Sequence, residues 1–538
     1  MRGKSYLMAG VAVVALAASA DAGLAKSSNA SSPPASAPNG PTNAELASRI
    51  DALEAELAAA TDHATSDHTR LSTLEQNFND TSWSFDNARP TVKSGDGRFT
   101  MAFRVRFQAD YAGFSQDATH PALVGPPVST FNGPTDLSSG AVLRRAYFGV
   151  EGKVFNDFAY EFRLNAGGTN GGSAGAGGVP AAGEGDPLLN KAVITYTGIP
   201  NVHFNVGVIE PAFMFEGTTS SASLIFLERP EIDNIAADTF GAGDSRRGIE
   251  LGWAKTDTLW AGDNLAVTVA FTGEKTGSTA NHGGVTGTQP GDERSQILGR
   301  ISERLWTDGT SNVQIGASGA HVFNSGDTTP AGVVNPNGGS QTINLQDRPE
   351  IRVDGTRLIS TGGINAKEAN MFAVDFGGNF ENFFLGGEYA KFMIDREASP
   401  GSLTVVDHPS FDGWYLEGSW IITGETKVYS PSAINNEVGG FNAPIPSRPF
   451  SLSGDSWGAW EVALRYSNTD LNWHTTAANG IFGGDERVFA LALNWYLNRN
   501  IRVMLDDNIV SVKRTVFGGA TNQNQDINIV GLRVQFAN

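Results

Sequence analysis

Over most of the chain, apolar and polar side chains alternate one for one. In TMAFRVRFQADY, 100–111, Met101, Phe103, Val105, Phe107 and Tyr111 share one parity, while Ala102, Arg104, Arg106, Gln108 and Asp110 share the other. Period two is the signature of a strand, whose successive side chains point to opposite faces. FAYEFRLNA sets Phe158, Tyr160, Phe162 and Leu164 against Glu161, Arg163 and Asn165. GAWEVALRYS sets Trp460, Val462, Leu464 and Tyr466 against Glu461, Ala463, Arg465 and Ser467. VFALALNWYL sets Phe489, Leu491, Leu493 and Trp495 against small or amide residues, and IRVMLD and VGLRVQF carry Arg502 and Arg533 on their polar sides. About 16 such segments follow one another, each of the roughly ten residues that a tilted membrane strand requires.

The connections also sort by length. Those at 152–157, 198–201 and 497–500 are tight, whereas 113–140, 167–187, 210–245, 275–293, 324–368 and 424–456 are long. Short turns at one end and long loops at the other describe an up-and-down membrane barrel. Aromatics sit on the apolar parity near segment ends (Trp253, Tyr389, Trp414, Trp420, Trp460 and Trp495), as interfacial girdles do. An arginine facing lipid near the midplane would cost about 2–4 kcal/mol, so the parity of Arg104 and Arg106 belongs to a wet lumen. The expected fold is all-β: a transmembrane, antiparallel, up-and-down β-barrel over 95–538.

The N-terminus follows a different rule. Arg2 and Lys4, the apolar run Leu7–Ala18 and the small residues Ala18-Ser19-Ala20 or Ala20-Asp21-Ala22 read as a signal peptide, taken as 1–20. A Ser/Pro/Ala-rich linker occupies 21–43. From 44 to 80 the period becomes 4-3: Leu46, Ile50, Leu53, Leu57, Ala60, Ala64, Asp67, Leu71, Leu74 and Phe78 form a heptad seam. That pattern predicts a coiled-coil helix, and a coiled coil needs partner helices.

Charge and composition narrow the chemistry. The chain of 538 residues carries a net charge of −19 and no cysteine. So acidic a balance argues against a nucleic-acid partner, and the lack of cysteine removes disulfides and thiolate metal sites. The histidines show no metal spacing, and no nucleophile–base set has a supporting context, so neither an enzyme nor a cofactor or metal is expected. GGSAGAGG, 171–178, follows no parallel strand and opens no helix, so it reads as a loop rather than a phosphate cradle. DFG at 375–377 lies within an alternating strand, without kinase companions.

Several stretches, in order, resemble one known family. They are RRAYFGVEGKVFNDFAYEFRLNAGG (144–168), KAVITYTGIPNVHFNVGVIEPAF (191–213), TSSASLIFLERPEI (219–232), TGETKVYSP (423–431), GAWEVALRYSNTDLNW (458–473) and GGDERVFALALNWYLNRNIRVML (483–505). They are similar to the outer-membrane phosphate-selective porins of the O and P type. The resemblance implies a homotrimer of 16-stranded barrels in the bacterial outer membrane. It also implies an arginine ladder for small anionic solutes such as phosphate or polyphosphate, narrowed by an inward loop after the fifth strand. That loop falls at about Glu210 to Asp244, with Glu228 and Arg229 in the family's pattern. The resemblance makes the adjacent Arg144-Arg145 pair the best match for the constriction; alternation alone makes Arg104, Arg106, Arg163, Arg300, Arg465, Arg502 and Arg533 wall candidates, and Lys191 and Arg229 join the pore-lining, anion-binding set. Neighbours on a strand face opposite ways, so parity favours Arg145 over Arg144 in the lumen unless the backbone bulges. The coiled coil is expected on the periplasmic side.

Two departures keep other readings open. GVIEPAF, 207–213, puts Glu210 where the family often has lysine, and Asp110, Glu161, Glu388, Glu417 and Glu461 share the polar parity. Acids bound to the arginines would favour a general or cation-preferring porin. A barrel-anchored periplasmic or cell-wall tether, with the coiled coil as its working part, is the other alternative. At the C-terminus Ala537-Asn538 follow the last aromatic, Phe536.

Overall fold

A computed structural model of the chain describes residues 42–116, 136–168, 189–276, 293–326, 341–397, 406–431, 439–477, 479–514 and 524–538. The expected signal peptide, nearly all of the linker and the glycine tract 171–178 lie outside the described residues.

The heptad segment is one helix, α1 (Asn43–Asn79). It opens on a capping box in which the Thr42 amide donates to Glu45 Oε2 (2.9 Å) and the Glu45 amide donates to Thr42 Oγ1 (3.3 Å). Its seam residues Leu46, Ile50, Leu53, Leu57, Leu71 and Leu74 are all exposed.

The remainder builds a barrel of sixteen antiparallel strands. The first eight are β1 (Thr100–Gln116), β2 (Gly140–Val154), β3 (Phe158–Asn165), β4 (Leu189–Tyr196), β5 (Val202–Ile209), β6 (Arg246–Thr256), β7 (Asn264–Lys275) and β8 (Ser295–Thr307). Then come β9 (Asn312–Asn324), β10 (Ile364–Phe380), β11 (Phe383–Arg396), β12 (Ser410–Ile421), β13 (Ala459–Trp473), β14 (Ile481–Tyr496), β15 (Ile501–Lys513) and β16 (Gln525–Ala537). Each pairs with the next, and β16 returns to β1 with Arg533 opposite Asp110 and Ala537 opposite Arg106. Closure leaves no unpaired edge for a bilayer that could not satisfy it.

The outward parity is the greasy one. Phe103, Phe107, Phe162, Ile249, Phe372, Leu464 and Leu491 are exposed, while Gln108, Asp110, Arg163, Arg300 and Arg465 point in and are buried. Below the C-terminus, Thr91–Lys93 continues the line of β16 by pairing with 100–102 of β1. Asn538 fastens the junction: Val105 donates its amide to Asn538 Oδ1 (2.7 Å), and Asn538 Nδ2 donates to the Ala88 carbonyl (2.9 Å). The two residues after Phe536 thus belong to the barrel seam.

The sorting of loops needs one correction. The connection 422–458 joins β12 to β13 at the end where the tight turns lie, although it is long. It enters the barrel. Val428–Ser430 pairs with Gly440–Asn442, and Phe441 packs edge-on to Phe215 and Phe384.

Two connections enter from the other end. The first, 210–245, is buried almost throughout and ends in a helix, α2 (Glu231–Phe240). Gly241 stops α2 in a left-handed conformation (φ 75°), with its amide and that of Ala242 returning to the Ala237 and Ala236 carbonyls. Arg246 donates to the Ala237 and Asp238 carbonyls, a cation at a helix C-terminus. The second connection, 325–363, buries Leu345, Ile351, Leu358 and Ile359.

Together these segments fill the barrel beside β10–β15 with one apolar cluster, including Phe213, Phe215, Phe226, Ile232 and Ile235. The wall is thinned to receive them. A Cβ on Gly377 or Gly386, which are partners across β10 and β11, would meet the Phe215 ring at 2.6 and 3.0 Å.

Candidate functional site

The open space lies against the other wall. A cavity of about 170 Å³ is bounded by β1–β4, the end of β7, the inward loop and Arg352. Water occupies roughly 30 Å³ per molecule in the liquid, so a small hydrated ion fits.

Two bulges shape this wall. Gln108 pairs with Arg145 and Ala109 with Leu143, which leaves Arg144 as an extra residue on β2. Arg144 and Arg145 are consequently both buried and both line the cavity. Strand parity alone admits one of them; the bulge turns the second inward. The same device recurs where Arg163 pairs with Lys191 and Leu164 with Leu189, leaving Asn190 extra. Asn190 and Lys191 then face the cavity together.

Carboxylates hold most of these cations. Glu228, on the inward loop, accepts from Arg144 Nε and Arg533 Nη2, each at 2.7 Å, with Arg352 and Arg145 at 3.8 and 3.9 Å. Burial alone would raise the Glu228 carboxyl, but Arg144, Arg145, Arg533 and Arg352 hold it well below the usual carboxylate range. Arg163 donates to Glu210 (2.5 Å) and to Glu161 (3.1 Å). Lys191 stands 3.0 Å from Glu161 and 3.9 Å from Glu210, and Arg104 lies 3.0 Å from Glu151. The acid in the lysine column is therefore matched by two cations.

Arg106 is different. It has no carboxylate within ion-pair distance among the described residues; it donates to the hydroxyls of Ser221 (2.5 Å) and Ser220 (3.0 Å) and lies over the Tyr147 ring (5.4 Å). Among the described residues Arg229 donates to main-chain carbonyls, of Glu216 (2.8 Å) and Thr219 (2.6 Å), with no carboxylate within ion-pair distance.

The predicted residues thus divide. Arg104, Arg106, Arg144, Arg145, Arg163, Lys191, Arg229, Glu210 and Glu228 surround the cavity. Arg300, Arg465, Arg502 and Arg533 face inward but do not line it, being buried under the loops; Arg533 and Arg465 reach Glu228 from behind the lining, at 2.7 and 3.0 Å. Arg300 forms a two-pronged pair with Asp375 (2.5 and 3.0 Å); Arg465 pairs with Glu350; Arg502 donates to the Leu224 carbonyl (2.6 Å); and Arg533 grips Asp110 (2.7 and 2.6 Å). Alternation says only which way a side chain points, not whether water or a loop awaits it there.

Sequence reasoning missed Lys275, Arg352, Asp238 and Asp244, which complete the lining from a strand end and two loops. No period marks such positions. Burial alone would raise Asp238, but Lys275 and Arg357 beside it bring it to about 2. The lining counts nine basic side chains against five acidic ones, a surplus of four positive charges in a chain of net −19. A second space of about 350 Å³ lies toward the tight turns and shares Glu161 and Lys191 with the first.

A closed sixteen-strand barrel, greasy outside and narrowed by an in-turned loop, defines the porin class of outer-membrane channels. The model of the family described as phosphate-selective porin O and P matches residues 127–537. The chain belongs to that family. An uncharacterized protein of Caulobacter vibrioides is 24% identical over 404 residues, spanning 74% of this chain and 68% of its own. Among solved structures, the outer membrane channel DcaP of Acinetobacter baumannii is similar at 10% identity (83% of this chain, 99% of that one, TM-score 0.41). The anion-selective porin from Comamonas acidovorans is similar at 11% identity (82% of this chain, all of that one, TM-score 0.38).

Proposed function

We propose that this porin passes small anions, phosphate among them, through the cavity bounded by Arg106, Arg145 and the inward loop. The observation that carries the reading is the local surplus of four positive charges against the acidity of the whole chain. A narrow, poorly polarisable constriction focuses the field of its own fixed charges, so the lining outweighs the net charge. Arg106 and Arg229, which have no carboxylate within ion-pair distance among the described residues, offer the planar fork of donors that suits an oxyanion. Moderate sites in series, each partly matched by acids, hold an ion without trapping it.

We further infer a homotrimer, supported by family membership and by the exposed apolar seam of the Asn43–Asn79 helix, with that helix on the periplasmic side.

Reversal potentials in a potassium chloride gradient test the reading. Anion preference, block of chloride current by phosphate, and a weaker preference in Arg106→Ala are expected. Cation preference without phosphate block would overturn it, and would favour the general-porin alternative that Glu161 and Glu210 keep open.

A further inference from the structure

The outer wall carries a charged row that the pore does not use. Lys391 lies opposite Asp412, Asp412 opposite Asp470, Asp470 opposite Asp485, and Asp485 opposite Lys513, so five adjacent strands, β11–β15, place charges at one height. All five are on the outward parity, and Lys391, Asp412, Asp470 and Lys513 are exposed. Directly below, Tyr389 pairs with Trp414, whose ring meets that of Tyr466 at 5.5 Å, and Arg487 lies opposite Asn468. Apolar rows follow, such as Leu385, Leu464 and Leu491. This aromatic patch on β11–β13, over aliphatic rows, marks the edge of the hydrocarbon, which sets the charged row at headgroup depth on the long-loop side.

The arrangement is costly as it stands. Like charges directly opposite on neighbouring strands destabilise a sheet, and their Cβ atoms stand about 4.5–5.5 Å apart. Asp485 is matched by Arg487 (2.8 Å), but Asp412 and Asp470 face each other with no cation within ion-pair distance among the described residues. Lysine stands at each end of the row. A divalent cation with one or two carboxylates commonly completes its oxygen shell with phosphate.

We propose that this strip docks phosphorylated lipid headgroups. Asp412 and Asp470 share a divalent cation with the lipid phosphate, and Lys391, Arg487 and Lys513 bind phosphate directly. The charges complement such a headgroup at both signs, and the patch of Tyr389, Trp414 and Tyr466 gives its acyl chains a flat bed. This surface is separate from the pore, so its test is independent of ion selectivity.

The test titrates the purified full-length protein in non-ionic detergent with lipid A, a diphosphorylated glycolipid, using native mass spectrometry. Binding in magnesium is expected, with a loss of at least about tenfold in the chelator EDTA and in D412N/D470N, as expected for charge-assisted contacts. K391Q/R487Q should weaken binding even with magnesium present. Unchanged heat-modifiability and chloride conductance would show that the variants fold. Equal binding of a phosphate-free lipid with the same chains, or full binding by D412N/D470N, would overturn the proposal.

Discussion

Glu210→Gln is the sharpest probe of the charge argument, because it removes one charge while keeping the shape. Glu210 accepts from Arg163 at 2.5 Å and lies 3.9 Å from Lys191. The amide keeps an acceptor for Arg163, so the loop root should hold. The surplus at the cavity rises from four positive charges to five. At about 8 Å across a water-filled pore, one unit charge is worth roughly 0.5 kcal/mol to a monovalent ion. A chloride gains that amount and a potassium ion loses it, so their permeability ratio moves by about 1 kcal/mol, roughly fivefold. Salt near 1 M shortens the screening length to about 3 Å and should erase most of the change. The assay is the reversal potential across a planar bilayer at low and high salt. An unmoved ratio at low salt, or a shift toward cations, would refute the claim that lining charge sets selectivity.

Three further outcomes follow from the packing. Arg300→Ala leaves Asp375 buried without its two-pronged partner, a change that costs about 3–5 kcal/mol; denaturant unfolding should register the loss while selectivity stays put, since Arg300 stands away from the cavity. Phe215→Ala opens a void between Gly377, Gly386 and Phe441 at a cost of about 3–5 kcal/mol; lower thermal stability with unchanged anion preference is expected, and a reversal of preference would contradict the division between plug and pore. Removing Ala537 and Asn538 deletes the bonds to Val105 and Ala88 at the seam; heat-modifiability should shift to lower temperature, and an unaltered midpoint would show that the seam closes without them.

Period determined much of this protein before any fold was known. One-for-one alternation dictated strands, the cost of arginine in hydrocarbon dictated which face looked inward, and the change to 4-3 spacing dictated the helix at Asn43–Asn79. These are local rules, and a linear chain displays them. Parity could not say that Arg144 and Arg145 would both reach the cavity, because a bulge is a mismatch between two strands and exists only when both are present. Nor could it separate Arg106, left with two serine hydroxyls, from Arg300, locked to Asp375. Both lie inward on a strand, but loops from distant parts of the chain fill one side of the lumen and leave the other open. Which charges remain available is thus fixed by packing across the barrel, where residues far apart in sequence compete for the same space.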